Sequence, residues 1–139
     1  MISQIKQSHT IKEAMIFAAG KGNRMKYKTK YIAKPLIKIK NNELLNVNLK
    51  KLSANGIKNC VVNTSYKHLS VKNFINCFKL RNKYPKIKIS YENERLETGG
   101  GVKKAFNYFN TDNILLINGD SLLVNSLREC PIKKLSKNF

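Results

Sequence analysis

Ala14-Met15-Ile16-Phe17-Ala18-Ala19-Gly20-Lys21-Gly22-Asn23-Arg24-Met25 is the stretch on which the architecture turns. The first six residues are apolar without interruption and stop at a glycine. Strict alternation would indicate a strand with one wet face. A continuous apolar run of this length indicates a strand covered on both faces, as in a parallel sheet. Glycines directly after such a strand let backbone N–H groups approach a phosphate with no Cβ in the way, and the Arg24 guanidinium offers a fork to phosphate oxygens. In isolation the loop is a weak signal, because a dinucleotide-binding GxGxxG would need glycine where Met25 stands and a Walker A loop would need GxxxxGK followed by Ser or Thr. A Gly-rich turn with solvated charges explains it equally well.

Working outward, Met1 to Lys12 is polar and aperiodic, a loose lead-in, and a basic loop runs from Lys21 to Lys34. Leu36-Ile37-Lys38-Ile39 suggests a short extended piece. Leu44, Leu45, Val47, Leu49 and Leu52 make an imperfect helical face that Asn55-Gly56 stops. Ile57 to Asn63 is a second buried strand, and a helix is expected from Leu69 to Asn82. After Pro85, Lys86 to Tyr91 alternates as a more exposed third strand would. Gly99-Gly100-Gly101 opens a further helix carrying Val102, Ala105, Phe106 and Phe109, and Ile114 to Ile117 is a fourth buried strand closed by Asn118-Gly119-Asp120. Strands alternating with helices predict an α/β fold, a Rossmann-like parallel sheet with helical crossovers. Such sheets bind ligands outside the carboxyl ends of their strands, which selects the loop after Ala19, the region from Glu92 to Gly101, and Asp120.

Three further elements carry chemical potential. Lys34, ten residues beyond Arg24 and followed by Pro35, is a point charge able to neutralise a phosphate, and the proline biases it toward an extended conformation. Three consecutive glycines at a helix start cost backbone entropy unless close approach is needed, and a helix amino end suits an anion. Asp120, one of two aspartates in the chain, follows a strand and could hold Mg²⁺ against substrate phosphates, although aspartate is also an ordinary turn residue. His9 and His68 lack acidic or cysteine companions at useful spacing.

The whole chain has 139 residues, enough for one domain, with 27 Lys plus Arg against 8 Asp plus Glu, a net charge of +19. Such a charge invites a polyanion partner. Its distribution argues otherwise: the lysines run from Lys6 to Lys137 and adjoin only as pairs, and the six tyrosines are scattered. The 23 Lys, 18 Asn and 14 Ile rise together, as drift in an A+T-rich coding sequence would make them. A basic nucleic-acid-binding module is therefore the disfavoured reading. Cys60, Cys77 and Cys130 form no CxxC or Cys/His ligand pattern, which fits a reducing cytoplasm. The apolar run at Ala14 is too short for a membrane span of ~20 residues.

Taken in order, AMIFAAGKGNRM, the AKPL around Lys34, ANGIKNCVVNTSY, LETGGGVKKA and LLINGDSL resemble the sugar-1-phosphate nucleotidyltransferases, in the branch of N-acetylmuramate-1-phosphate uridylyltransferase and mannose-1-phosphate guanylyltransferase-like enzymes. The resemblance covers about Lys12 to Val124. It implies the nucleotide-diphospho-sugar transferase type of sheet and Mg²⁺-dependent transfer of a nucleoside monophosphate from UTP or GTP to a sugar-1-phosphate, releasing pyrophosphate. It also implies roles: the backbone of Ala19, Gly20 and Gly22 cradling phosphates, Arg24 and Lys34 neutralising them, Gly99 and Gly100 approaching nucleoside or sugar, and Asp120 binding Mg²⁺. Departures occur at Lys26-Tyr27-Lys28-Thr29, where the family usually has Arg-Pro-Leu-Thr, and at Ala33, where it has Pro. Members also continue past the strand bearing the metal aspartate, to a second acidic ligand. The expectation is therefore a loose lead-in over 1–12, a nucleotide-binding domain over 13–125 that is incomplete at the C-terminus, and a polar tail over 126–139. An inactive remnant that at most binds nucleotide, or a protein needing a separately encoded second half, stands beside the working enzyme.

Overall fold

The computed structural model describes residues 10–22, 30–78 and 84–122. Four strands, β1 (Glu13–Phe17), β4 (Asn59–Thr64), β5 (Lys86–Tyr91) and β6 (Ile114–Asn118), form one parallel sheet in the order β5-β4-β1-β6. Two-residue strands β2 (Lys38–Ile39) and β3 (Asn42–Glu43) pair antiparallel. The two residues between them, Lys40 and Asn41, both have positive φ, 47° and 65°, as a two-residue hairpin that follows strand twist requires. Helices α1 (Leu44–Ala54), α2 (His68–Phe78) and α3 (Thr98–Ala105) connect the sheet strands.

The sheet order decides which face each helix covers. From β1 to β4 to β5 the chain steps twice in one direction, and right-handed crossovers then place α1 and α2 on the same face. The return from β5 to β6 reverses direction and carries α3 to the other face. The packing follows this rule. Ala14, Ile16, Cys60, Val62 and Ile117 pack with Leu45, Leu49 and Leu52 of α1 and Val71 and Ile75 of α2, positions spaced three and four apart. Met15 and Val61, facing the other way, pack with Ala105 of α3, Val102 and Phe109. Both faces of β1 are thus covered, as its unbroken apolar run predicts. Burial of each large aliphatic side chain in these clusters contributes roughly 1.5–3 kcal/mol.

Several boundaries differ from the expectation for physical reasons. Ala18 and Ala19 lie beyond β1, because the Ala18 N–H leaves the ladder to donate to Asn63 Oδ1 at 2.7 Å. Lys34 begins a short 3-10 turn, Lys34–Leu36, rather than an extended piece, with the Leu36 N–H bonded to Ala33 O. Asn55-Gly56 does stop α1: the Ile57 N–H returns to Leu52 O and the Gly56 N–H to Ser53 O, the Schellman pattern. The fourth strand is not buried as expected. It pairs with β1 alone among the described strands, and Leu116 is 45% exposed. Residues 79–82 of the expected second helix, most of the lead-in and all of the 126–139 segment lie outside the described residues. No helix among the described residues is long and apolar enough to cross a membrane.

At the foot of the sheet, Glu13 is buried and ties β1 to the segment entering β6. Its carboxylate accepts from Asn59 Nδ2, from the backbone and side-chain amides of Asn110, and from the N–H and Oγ1 of Thr111, at 2.8–3.2 Å. Burial alone would push this carboxyl up, but those hydrogen bonds outweigh it and hold it below its ordinary value of 4.5. With the folded value lowered, the unfolded chain binds the proton first as acid is added. The Glu13 contribution is therefore complete above about pH 4.5 and is lost as pH falls through the folded value. Urea unfolding is expected to show Glu13→Ala less stable by about 2–4 kcal/mol at neutral pH, and Glu13→Gln less sensitive than wild type to acidification below pH 4.5.

Candidate active site

At the carboxyl ends of β1 and β6 the sheet reverses its direction of winding, the place where α/β sheets open a crevice. A cavity of about 450 Å³ lies there, lined by Ala18 to Gly22 after β1, by Lys34 and Pro35, by Asn63 at the end of β4, by Arg95 to Thr98 after β5, and by Asn118 to Asp120 after β6. Segments far apart in sequence meet at one opening.

Each wall has a local cause. The loop after β1 turns at Gly22, whose φ of 69° lies in the left-handed region. On the opposite wall, the Gly119 N–H donates to Phe17 O at 2.9 Å, and a Cβ built on Gly119 would stand 2.3 Å from that same oxygen. Only glycine lets the end of β6 lie this close to β1, and the approach delivers Asp120 to the mouth of the loop. Behind it, buried Asn48 of α1 donates through Nδ2 to Ser121 O at 2.8 Å, fastening the residue after Asp120 to the helix. Lys34 reaches across from its 3-10 turn, and its Nζ lies 2.6 Å from Asp120 Oδ2. Both side chains remain partly exposed in the cavity wall, so the pair is open to solvent and contributes little to stability.

Of the residues singled out from sequence, Ala19, Gly20, Gly22, Lys34 and Asp120 line this one cavity. Gly99 and Gly100 fall in the first turn of α3, behind Glu97 and Thr98, which form that part of the lining. Arg24 lies outside the described residues. Other lining residues had no individual role assigned from sequence: Lys21 and Arg95, which add positive charge within the loop after β1 and the 92–101 region, and Asn63, which sits within an apolar strand. Arg95 was legible only as one more cation in a basic chain. Asn63 was legible as a polar residue at the carboxyl end of a strand, the end where sites form.

No cluster of three or more His, Cys, Asp or Glu side chains suited to a metal occurs among the described residues. Asp120 nevertheless fits a partial role. Its Oδ2 already accepts a cation at 2.6 Å, from Lys34, and Mg²⁺ commonly binds through one or two carboxylates with phosphate oxygens and water completing the shell.

A parallel sheet with a glycine loop at its switch point and an open crevice above it defines a doubly wound α/β protein. Residues 13–137 match the family described as Nucleotidyl transferase, and the chain belongs to that family. It is 34% identical over 119 residues to a D-glycero-alpha-D-manno-heptose 1-phosphate guanylyltransferase of Aneurinibacillus thermoaerophilus, a match covering 84% of this chain and 50% of that protein. It is 32% identical over 118 residues to an N-acetylmuramate alpha-1-phosphate uridylyltransferase of Caulobacter vibrioides, covering 84% and 49%. Among solved structures, HddC from Yersinia pseudotuberculosis superposes with a TM-score of 0.66 at 30% identity, over 81% of this chain and 49% of that one. UDP-glucose pyrophosphorylase complexed with UDP-glucose shares the fold, with a TM-score of 0.73 at 20% identity over 91% and 52%. The chain spans about half the length of the curated relatives it matches. The expected sheet type and family resemblance hold.

Two of the glycines at the cavity, Gly119 and Gly20, differ in steric demand. Gly119→Ala is expected to lower stability by about 1–3 kcal/mol, as overpacking does, and to shift the melting temperature down. Gly20→Ala, where a Cβ meets nothing within 4 Å, is expected to melt as wild type does.

Proposed function

We propose that this chain carries the nucleotide-binding half of a sugar-1-phosphate nucleotidyltransferase and transfers a nucleoside monophosphate from UTP or GTP to a sugar-1-phosphate. The observation that carries this reading is the meeting of the glycine loop, Lys34 and Asp120 around one cavity, with Lys34 Nζ 2.6 Å from Asp120 Oδ2. A phosphate oxygen of the sugar-1-phosphate attacks the α-phosphorus, the bond from that phosphorus to the bridging oxygen breaks, and pyrophosphate leaves with the electron pair. Such chemistry asks a protein for in-line positioning and charge neutralisation rather than a covalent nucleophile.

The chain's own residues supply those services. Backbone N–H groups of Ala19 to Gly22 take the triphosphate oxygens, Arg24 offsets the negative charge that grows on the leaving pyrophosphate, and Lys34 stabilises the α-phosphate region. Asp120 is the side chain we assign to Mg²⁺, which when bound neutralises phosphate charge and polarises the reacting centre. Asp120 would hold the divalent cation, and the Lys34 ammonium beside it would add a second positive charge facing the phosphates. Free thiols at Cys60 and Cys77 suit a cytoplasmic protein.

A second reading is supported by the chain's coverage of about half of its relatives: it binds triphosphate without turnover, or completes its sugar pocket with a separately encoded C-terminal half. Pyrophosphate release assayed with UTP or GTP, Mg²⁺ and hexose, heptose or N-acetylmuramate 1-phosphates decides between them. Turnover that falls about 10²–10³-fold in Lys34→Ala and in Asp120→Ala supports the enzyme. Folded protein that binds triphosphate but releases no pyrophosphate establishes the second reading, and absence of triphosphate binding defeats both.

A further inference from the structure

Beneath the cavity lies a buried polar chain that the proposed chemistry leaves unused. Asn63 Oδ1 accepts the Ala18 N–H at 2.7 Å, Asn63 Nδ2 donates to Glu92 Oε1 at 2.9 Å, and Glu92 Oε2 accepts the Leu96 N–H at 3.0 Å. Ala18 opens the glycine loop on one rim, and Leu96 belongs to the opposite rim, two residues before Thr98. Glu92 itself has no exposed surface and does not line the cavity, so it can act on a ligand only through these partners.

The chemistry of the three groups fixes their orientation. Ala18 and Leu96 present N–H groups, which only donate, and the Glu92 carboxylate offers acceptors. The Asn63 amide therefore has one arrangement that satisfies every partner, oxygen toward Ala18 and nitrogen toward Glu92. Turning it over would face nitrogen against N–H and oxygen against carboxylate, two unmade bonds in a buried site, each costly. The third glycine of the Gly99-Gly100-Gly101 run closes over this pair. A Cβ on Gly101 would stand 3.1 Å from both Asn63 Nδ2 and Glu92 Oε1, so a side chain there would press on the network and require it to give by a few tenths of an ångström. Gly99, by contrast, faces open space.

We propose that Glu92 is a positioning residue: by locking the Asn63 amide and holding Leu96, it sets the separation of the two rims between which a nucleoside triphosphate is held. The ligand class rests on the function proposed above; the rim-locking role does not. In Glu92→Gln the new amide can accept from Leu96 or from Asn63 but not both, and one tie is lost. In Asn63→Asp two carboxylates oppose each other. In the double variant the amide nitrogen introduced at position 92 donates to the carboxylate introduced at position 63. That carboxylate still accepts from Ala18, and the amide oxygen at position 92 still accepts from Leu96, so every bond is remade with donor and acceptor exchanged.

The test is amide hydrogen exchange at Ala18 and Leu96 in the ligand-free chain, followed by titration with Mg²⁺ and UTP or GTP. Glu92→Gln is expected to exchange faster by about tenfold or more at one or both of these amides while β5 stays protected, and to bind triphosphate about tenfold more weakly. Asn63→Asp with Glu92→Gln is expected to recover both properties. Unchanged exchange at the two amides in Glu92→Gln overturns the proposal, as does a double variant that stays as fast as the single. Should Glu92→Gln fail to fold, recovery of folding and protection in the double variant supports the lock, and failure of the double overturns it. If wild type binds no triphosphate, the proposed function falls while exchange still decides the lock. If it does bind, and faster exchange leaves affinity unmoved, the positioning role is refuted.

Discussion

The hydrogen bond from Gly119 N–H to Phe17 O, made at 2.9 Å with no room for a side chain between the strands, is the constraint on which the rest of the site depends. It closes the register of β6 on β1, which runs from Glu13 opposite Ile114 to Phe17 opposite Asn118. Any slip at this contact would carry Asp120 away from Lys34 and the glycine loop, whose own place beside Asn63 is held by the pairing of β1 with β4. The foot of the same strand is held by Glu13, whose bonds to Asn110 and Thr111 fix where β6 begins. Register is thus pinned at both ends of β1, and the cavity sits at the end where chemistry can happen.

Within a chain of net charge +19, the informative charges are the acids. Two of them lie at the site's foundations and take opposite forms. Asp120 is partly exposed and faces the Lys34 ammonium across 2.6 Å. Glu92 is fully buried and surrounded by N–H donors, an arrangement suited to holding backbone rather than to meeting a ligand. The surplus lysines spread along the chain add a general attraction for anions, while the placement of Lys21, Lys34 and Arg95 around the cavity gives it direction.

Much of the architecture was legible because it rests on local rules. The unbroken apolar run at Ala14, the alternation of Lys86 to Tyr91, and the Asn55-Gly56 stop each express a periodicity or a turn that one segment settles for itself. The site was legible in part for the same reason: Gly20, Gly22, Lys34 and Asp120 follow strands or punctuate loops. The exposure of Leu116 was not legible, since an apolar strand looks the same in the middle of a sheet and at its edge. Nor was the demand at Gly101, which depends on Asn63 and Glu92 lying beneath it.

By itself the sequence determined the alternation of strands and helices, the loops that stand at strand ends, and the residue types available there. Tertiary structure alone decided which polar groups meet: Lys34 with Asp120, 86 positions apart, Asn63 with Glu92, and Glu13 with Thr111. Periodicity records which side of an element faces the core, but a hydrogen bond between elements depends on strand order and register, and these are set by the packing of the whole sheet.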